Sequence, residues 1–435
     1  MSTFLFRTDW LWVESEDYSM MVKFDLYCGK QFWRPLMTSI IFVGWAIGAP
    51  ILGWVADKFG RRRILFFSIF MAIFCMVVSV AAHAPWGILI LRIISGFFVP
   101  GMLVGLYVVT MEICPAKRRN LLANGLQCGW GVILAIQALI SYYIRNWKTL
   151  LLAQSLPFLI LLPFYYFVPE SLRYLNTHGK SEDAMWELKR IARFNGKKIP
   201  NNIEILQEPQ ETESMDPRLL FKSRKAVFLT LIQSIDWIFV ALAYYAILLA
   251  SENGLDLDFY LVFAIMSLAE IPGTIICVPL IDYFGRRPTV VVVEAFSAIS
   301  CIIVGFIPDD GDANYVRIVL ATIARAMLGG AFNSIYLWTS EIHPTTLRGN
   351  AMGWMQIMGR IGSVAAPWVV LTLLDENKMA PFILVGGLLL IAACLCWFLP
   401  ETKGLKTNET LAEYYGYEMR PVGETTINQH APPTM

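Results

Sequence analysis

Long apolar runs alternate with short polar breaks along most of this chain. Eleven such runs stand out, at 35–56, 64–83, 88–110, 121–143, 149–168, 227–249, 258–281, 289–307, 315–340, 349–373 and 380–399. Each holds about 20 residues, which at ~1.5 Å per residue spans the ~30 Å hydrocarbon core of a bilayer. In lipid only a helix satisfies all its own backbone donors and acceptors. The pattern therefore predicts an all-α, polytopic membrane protein with about eleven transmembrane helices. One polar stretch, 170–226, interrupts the rhythm. Within it Ser181, Glu182 and Asp183 mark a helix start, and Met185, Leu188 and Ile191 fall on one face, as expected of a short amphipathic helix against the membrane surface. Asn201 to Pro217 reads as a linker.

Composition agrees with this picture. Hydrophobic residues make up 56% of the chain and charged residues 16%, against about 25% charged in soluble proteins. A net charge of +1 offers no basic surface for nucleic acid. Of the eight cysteines, Cys75, Cys114, Cys128, Cys277, Cys301, Cys394 and Cys396 lie in or beside apolar runs, as small packing residues do, and Cys28 lies in a polar segment. They show no metal-ligand spacing, the four histidines form no cluster, and no cofactor is implied. Phe4 to Val13 is interrupted by Arg7 and Asp9, so no signal peptide is expected.

Basic residues collect in alternate loops: Lys58 with Arg61, Arg62 and Arg63; Lys117, Arg118 and Arg119; the 170–226 stretch; Arg286 with Arg287; and Arg348. The main exceptions are Arg145 and Lys148. The positive-inside rule puts those loops in the cytoplasm, with the N-terminus outside and the C-terminus inside. The expected organisation is an extracellular stub 1–34, a first membrane half 35–169, a cytoplasmic linker 170–226, a second half 227–399 and a cytoplasmic tail 400–435. On that side the sequon at Asn408 would go unused.

The punctuation occurs twice. Asp57-Lys58-Phe59-Gly60-Arg61-Arg62 is echoed by Asp282-Tyr283-Phe284-Gly285-Arg286-Arg287. Glu112, with Arg119 following, is echoed by Glu341, with Arg348 following. Pro169-Glu170-Ser171 is echoed by Pro400-Glu401-Thr402. Three ordered matches at a nearly constant offset predict two halves of similar fold, an architecture in which a central site serves alternating access. Physically, Gly60 and Gly285 permit tight turns, and the arginine pairs can dock on Glu112, Glu170, Glu341 and Glu401. Such a network locks one access state and breaks in the other. The plainer reading is that these charges only set topology and solvate loop ends.

At these motifs, Gly53 through Arg62 above all, the chain resembles the major facilitator superfamily. Within it, Phe24-Asp25-Leu26, Trp147, Ser155-Leu156-Pro157, Pro169 to Leu175, Tyr336 to Glu341 and Leu399 to Gly404 resemble the solute carrier family 22 transporters of organic cations, anions and carnitine-like zwitterions. The resemblance implies twelve helices and a cysteine-bearing extracellular loop. Here the first half shows five runs, so its first helix is expected to be missing, and Cys28 resembles a loop cysteine without its partners.

Ionisable residues inside spans are functional candidates. Glu270 resembles an acidic cavity position that would attract a cation, or it bonds a neighbouring helix. At Arg360 the resemblance implies arginine in anion- and carnitine-handling members and aspartate in cation carriers. Its guanidinium can hold a carboxylate at two points, or it pairs with an acidic helix residue. Glu270 and Arg360 together suit a zwitterion or neutralise each other. Asp236 lines the cavity or caps the inner half of its helix. Gln127, Trp130, Trp237, Tyr244 and Tyr245 complete the candidate site, the aromatic faces suiting quaternary ammonium groups. Arg92 and Arg325 are expected to snorkel at the outer boundary. The function that follows is transport of a small organic ion, anion or zwitterion rather than simple cation, across a plasma membrane; the alternative is a non-transporting scaffold. No phosphate loop, nucleophile elbow or metal motif argues for an enzyme, and no intramembrane carboxylate pair calls for proton coupling.

Overall fold

A computed structural model describes residues 19–26, 30, 32–114, 116–197, 216–254, 258–308, 313–344 and 347–405. Each of the eleven apolar runs is helical over most of its length. After a short turn of helix, α1 (Met20–Lys23), come α2 (Trp33–Phe59), α3 (Arg61–Val80), α4 (Pro85–Ile113), α5 (Ala116–Tyr143) and α6 (Trp147–Ser155), the last continued by a 3₁₀ segment, Leu156–Tyr166. Then follow α7 (Leu172–Thr177) and α8 (Ser181–Phe194). The second series is α9 (Arg224–Gly254), α10 (Phe259–Leu268), α11 (Glu270–Phe284), α12 (Arg286–Phe306), α13 (Ala313–Ile342), α14 (Arg348–Glu376) and α15 (Ala380–Cys396). Among the described residues ten helical stretches are long and apolar enough to cross a membrane, and α15 is a shorter apolar helix. No strand occurs among the described residues apart from one isolated bridge residue at Leu405.

Two runs differ from plain helices, and proline explains both. Pro157 and Pro163 lack the N–H that an α-helix would use, and the fifth run winds from α-helix into 3₁₀ at Leu156. In the seventh run Pro272 cannot donate to the Leu268 carbonyl, and the helix is interrupted at Ala269, so that Glu270 opens α11. Ser181 begins α8 with no side-chain cap bond, one residue later than a capping serine would stand.

By contacts the described chain falls into two compact units, one drawn from Met1–Ala123 and Val132–Gln207, the other from Asn124–Gly131 and Glu208–Met435. In the first, α2 and α4 approach closely: a Cβ at Gly44 or Gly48 would collide with the main chain of Ile93 or Phe97. Close backbone approach through small residues is how helices pack where lipid removes the hydrophobic drive. Leu26, ahead of α2, packs with Trp33, Met37, Ile88, Leu89 and Trp147. Outward-facing residues of the fifth span such as Ile160 and Phe158 stay exposed, the surface expected against acyl chains. In the second unit Trp237, Leu328, Trp338 and Phe382 anchor one continuous buried cluster. Cys28, the sequon and residues 198–215 of the proposed linker lie outside the described residues.

Candidate functional site

In the second unit the helix interruption at Ala269 sets Glu270 inside the bundle, 2% exposed. Its Oε1 accepts from Arg325 Nη2 at 2.6 Å and from the Tyr244 hydroxyl at 2.8 Å. Arg325 also donates to the Tyr244 carbonyl, and its guanidinium lies 3.4 Å from the centroid of the Tyr244 ring. Arg325 therefore does not snorkel. It is 1% exposed near the middle of the 30-residue α13, and a charge so placed is held by a partner charge, a ring face and a carbonyl. The carboxylate that looked poised for a cation has an internal counter-ion, and that counter-ion is Arg325, not Arg360. Arg92 is likewise engaged, donating to the Met37 carbonyl on the facing helix.

An aromatic wall continues from this pair. Tyr244 packs on Tyr245 and Phe332, and Trp237 on Phe332 and Tyr336, with centroids 4.6 to 5.7 Å apart. The Trp237 indole donates to Thr339 Oγ1 at 3.1 Å, fixing the ring edge. Gln356 donates to the Tyr336 hydroxyl at 2.6 Å and accepts from Arg360 Nη2 at 3.4 Å. A Cβ at Gly359 would stand 3.2 Å from the Trp237 ring, so α14 rides directly on this wall. Arg360, buried on α14, is thus tied to the aromatic wall through an amide and a phenol. Phe332 and Gln356 carry no sequence signal of their own; only helix register brings them to the site. Gln127 and Trp130 are half-buried on α5, within the 124–131 segment that groups with this unit.

Asp236 does something else. It sits in the middle of α9, away from either end, and so caps nothing. It is buried against Glu294 of α12 and Cys396 of α15. Glu294 lies inside the 289–307 run and qualifies as a candidate by the rule that selected Glu270, although the candidate site above omits it. The fold pairs it with Asp236 as an intramembrane carboxylate pair that linear order does not bring together.

The repeated charges assemble separately in each unit. Gly285 turns α11 into α12 with φ +101°, and Arg286 forks onto Glu341 with two bonds of 2.8 Å. Thr402 Oγ1 donates to the same carboxylate at 2.6 Å. Glu401 reaches the arginine pair through its main chain: it accepts from the N–H of Arg286 at 2.9 Å and of Arg287 at 3.0 Å. The first unit repeats the plan. Gly60 has φ +103°, Arg61 meets Glu112 at 3.6 Å and Asp57 at 3.0 Å, and Glu170 accepts from the Arg62 N–H at 3.1 Å. Glu170 and Glu401 thus cap helix N-termini rather than serving as simple side-chain counter-ions. Two members differ from the expected docking. Arg62 reaches Glu187 on α8 at 3.3 Å, and the Arg287 guanidinium lies 5.2 Å from the Trp397 ring centroid. Asp282 is exposed, Arg348 opens α14, and a Cβ at Gly53 would meet no described atom. Arg119 lies in α5 with its side chain outside the described set.

Two helical units bearing duplicate turn-and-carboxylate motifs define a major facilitator carrier, a multi-pass membrane protein and not an enzyme. The comparisons agree. The family profile "Sugar (and other) transporter" matches residues 2–414. Organic cation transporter 1 of Caenorhabditis elegans is 31% identical over 93% of this chain and 70% of its own length. Solute carrier family 22 member 3 of Rattus norvegicus is 30% identical over 93% and 73%, and organic anion transporter 3 of Pongo abelii 28% over 94% and 77%. Among solved structures, the proton:xylose symporter XylE superposes with a TM-score of 0.64 at 21% identity, covering 89% of this chain and 90% of its own, and so speaks for the fold. The chain belongs to the sugar (and other) transporter family and, within it, groups with the solute carrier family 22 transporters.

Proposed function

We propose that this chain carries a small organic ion across the plasma membrane by alternating access, and that it takes an anion or a carnitine-like zwitterion in preference to a simple cation. The observation that carries this reading is the internal neutralisation of Glu270 by Arg325, beside an aromatic wall whose other end is tied to the Arg360 guanidinium. With Glu270 compensated, the guanidinium is the group suited to hold a substrate carboxylate at two points, and the rings suit an apolar or quaternary ammonium body. Gln127, Trp130, Trp237, Tyr244 and Tyr245 are assigned to the same site. The two Gly-Arg-Arg networks are assigned to gating, with the N-terminus outside, the C-terminus cytoplasmic and 170–226 as the linker between halves.

The test is uptake of labelled carnitine, an organic anion and an organic cation into cells expressing the chain, with surface protein quantified. Saturable uptake of anion or zwitterion, reduced at least tenfold in Arg360→Ala at equal surface level, is the expected result. Cation uptake indifferent to Arg360 would overturn the charge preference. No uptake of any class by surface-resident protein would overturn the carrier in favour of a scaffold.

A further inference from the structure

Three helices of the second unit bring together side chains that the substrate reading leaves with only a packing role. Asp236 of α9, Glu294 of α12 and Cys396 at the end of α15 each place one oxygen or sulfur within 4.8 Å of the others. All three side chains are buried, at most 1% exposed. Asp236 Oδ1 and both carboxylate oxygens of Glu294 meet no hydrogen-bond partner. Buried carboxylates are otherwise paired or coordinate a metal, because an uncompensated one costs several kcal/mol. Glu270 shows the paired solution in this same unit; Glu294 faces the Asp236 carboxyl and the Cys396 thiol in place of a cation.

We propose that Asp236, Glu294 and Cys396 form a binding site for a divalent transition-metal ion of the zinc class. The donor set decides the class. Two carboxylates and a thiolate match the oxygen and sulfur ligands of zinc, at roughly 2.0 to 2.3 Å. Around one such ion three donors stand roughly 3 to 4 Å apart, within the observed limit. Calcium and magnesium take six or more oxygens and no thiolate. Binding requires the Cys396 thiol to lose its proton to solvent as the sulfur–metal bond forms, so affinity rises with pH. Three protein ligands leave a fourth position open. The ion would tie α9, α12 and α15 at one point, and Cys396 lies five residues before Glu401, the carboxylate that caps α12. Occupancy would therefore brace the second Gly-Arg-Arg network.

The test uses the purified full-length chain in detergent or nanodiscs, with cobalt(II) as the spectroscopic probe and zinc as competitor. One equivalent of cobalt should give a thiolate-to-metal charge-transfer band that zinc displaces and that Cys396→Ser abolishes. Zinc should raise the melting temperature of the wild-type chain. Asp236→Asn and Glu294→Gln should weaken cobalt binding by more than about 100-fold, beyond the roughly 10- to 100-fold that loss of a supporting outer group costs. Absence of the band in folded wild-type protein overturns the site, as does its persistence in Cys396→Ser. Melting that ignores zinc but rises on acidification, lost in Asp236→Asn, overturns it in favour of a proton shared by the two carboxylates. The wild-type titration and Cys396→Ser decide the matter even if a carboxylate variant does not fold.

Discussion

Arg325 and Glu270 illustrate why a buried pair is asymmetric in its consequences. Removing one partner leaves a charge in a site that water does not reach, and breaking such a pair costs about 3–5 kcal/mol. Arg325→Ala and Glu270→Ala should each lower the melting temperature sharply. The double variant Arg325→Met/Glu270→Leu should lose less than either, a difference readable by thermal unfolding of the detergent-solubilised chain. A second residue sets a pH limit. His343, just beyond the end of α13, is fully buried with Nε2 donating to Gln233 Oε1 at 2.8 Å, and burial holds its pKa down to about 4. The unfolded chain binds the proton near pH 6.5, the folded one only near 4. Stability is therefore complete above about 6.5 and falls as the pH drops below it, by about 1.4 kcal/mol per unit. Melting temperature measured from pH 7.5 to 5 should decline, and His343→Gln should flatten the decline.

At the scale of elements, the turns between α2 and α3 and between α11 and α12 combine two demands on one residue. Gly285 has a positive φ, and a Cβ there would stand 2.7 Å from Glu401 Oε2. Gly285→Ala should both strain the turn and push the capping carboxylate away, destabilising the chain by more than the ~1 kcal/mol that left-handed backbone alone costs. Glu401→Gln probes the cap itself. Its carboxylate also accepts from the N–H of Thr402 and Lys403, and an amide nitrogen cannot replace the second accepting oxygen. A loss of about 1–2 kcal/mol is expected, read as reduced thermal stability and as faster amide exchange in the first turn of α12.

At the scale of the whole molecule the duplicated networks are unequal. In the second, Arg286 holds Glu341 with two bonds of 2.8 Å; in the first, Arg61 meets Glu112 at 3.6 Å and otherwise the exposed Asp57 at 3.0 Å. Arg286→Ala should therefore cost more stability than Arg61→Ala, about 1–3 kcal/mol against less than about 1. Arg286→Lys should behave almost as badly as alanine, because an ammonium cannot reproduce the two-pronged fork. If the networks gate transport, both alanine variants should also change uptake rate at equal surface level. Rates unchanged in both would remove the gating role and leave topology as their function.

The amino-acid order by itself determined the membrane class, the eleven helical runs and the positions of the Gly-Arg-Arg turns. Each of these follows from local physics: backbone bonds that lipid will not satisfy, and a turn that needs glycine. It also offered Glu112, Glu170, Glu341 and Glu401 as partners of the arginine pairs, without matching each arginine to its carboxylate. It offered Arg360 as a counter-ion for Glu270 where the fold supplies Arg325, and it was silent on the main-chain role of Glu170 and Glu401 and on the meeting of Asp236, Glu294 and Cys396. Those depend on which faces of long, uniformly apolar helices turn toward one another. That choice is made by close approach at residues such as Gly273, Gly359 and Gly362, through packing between helices far apart in the chain, and it leaves no periodic mark in the sequence.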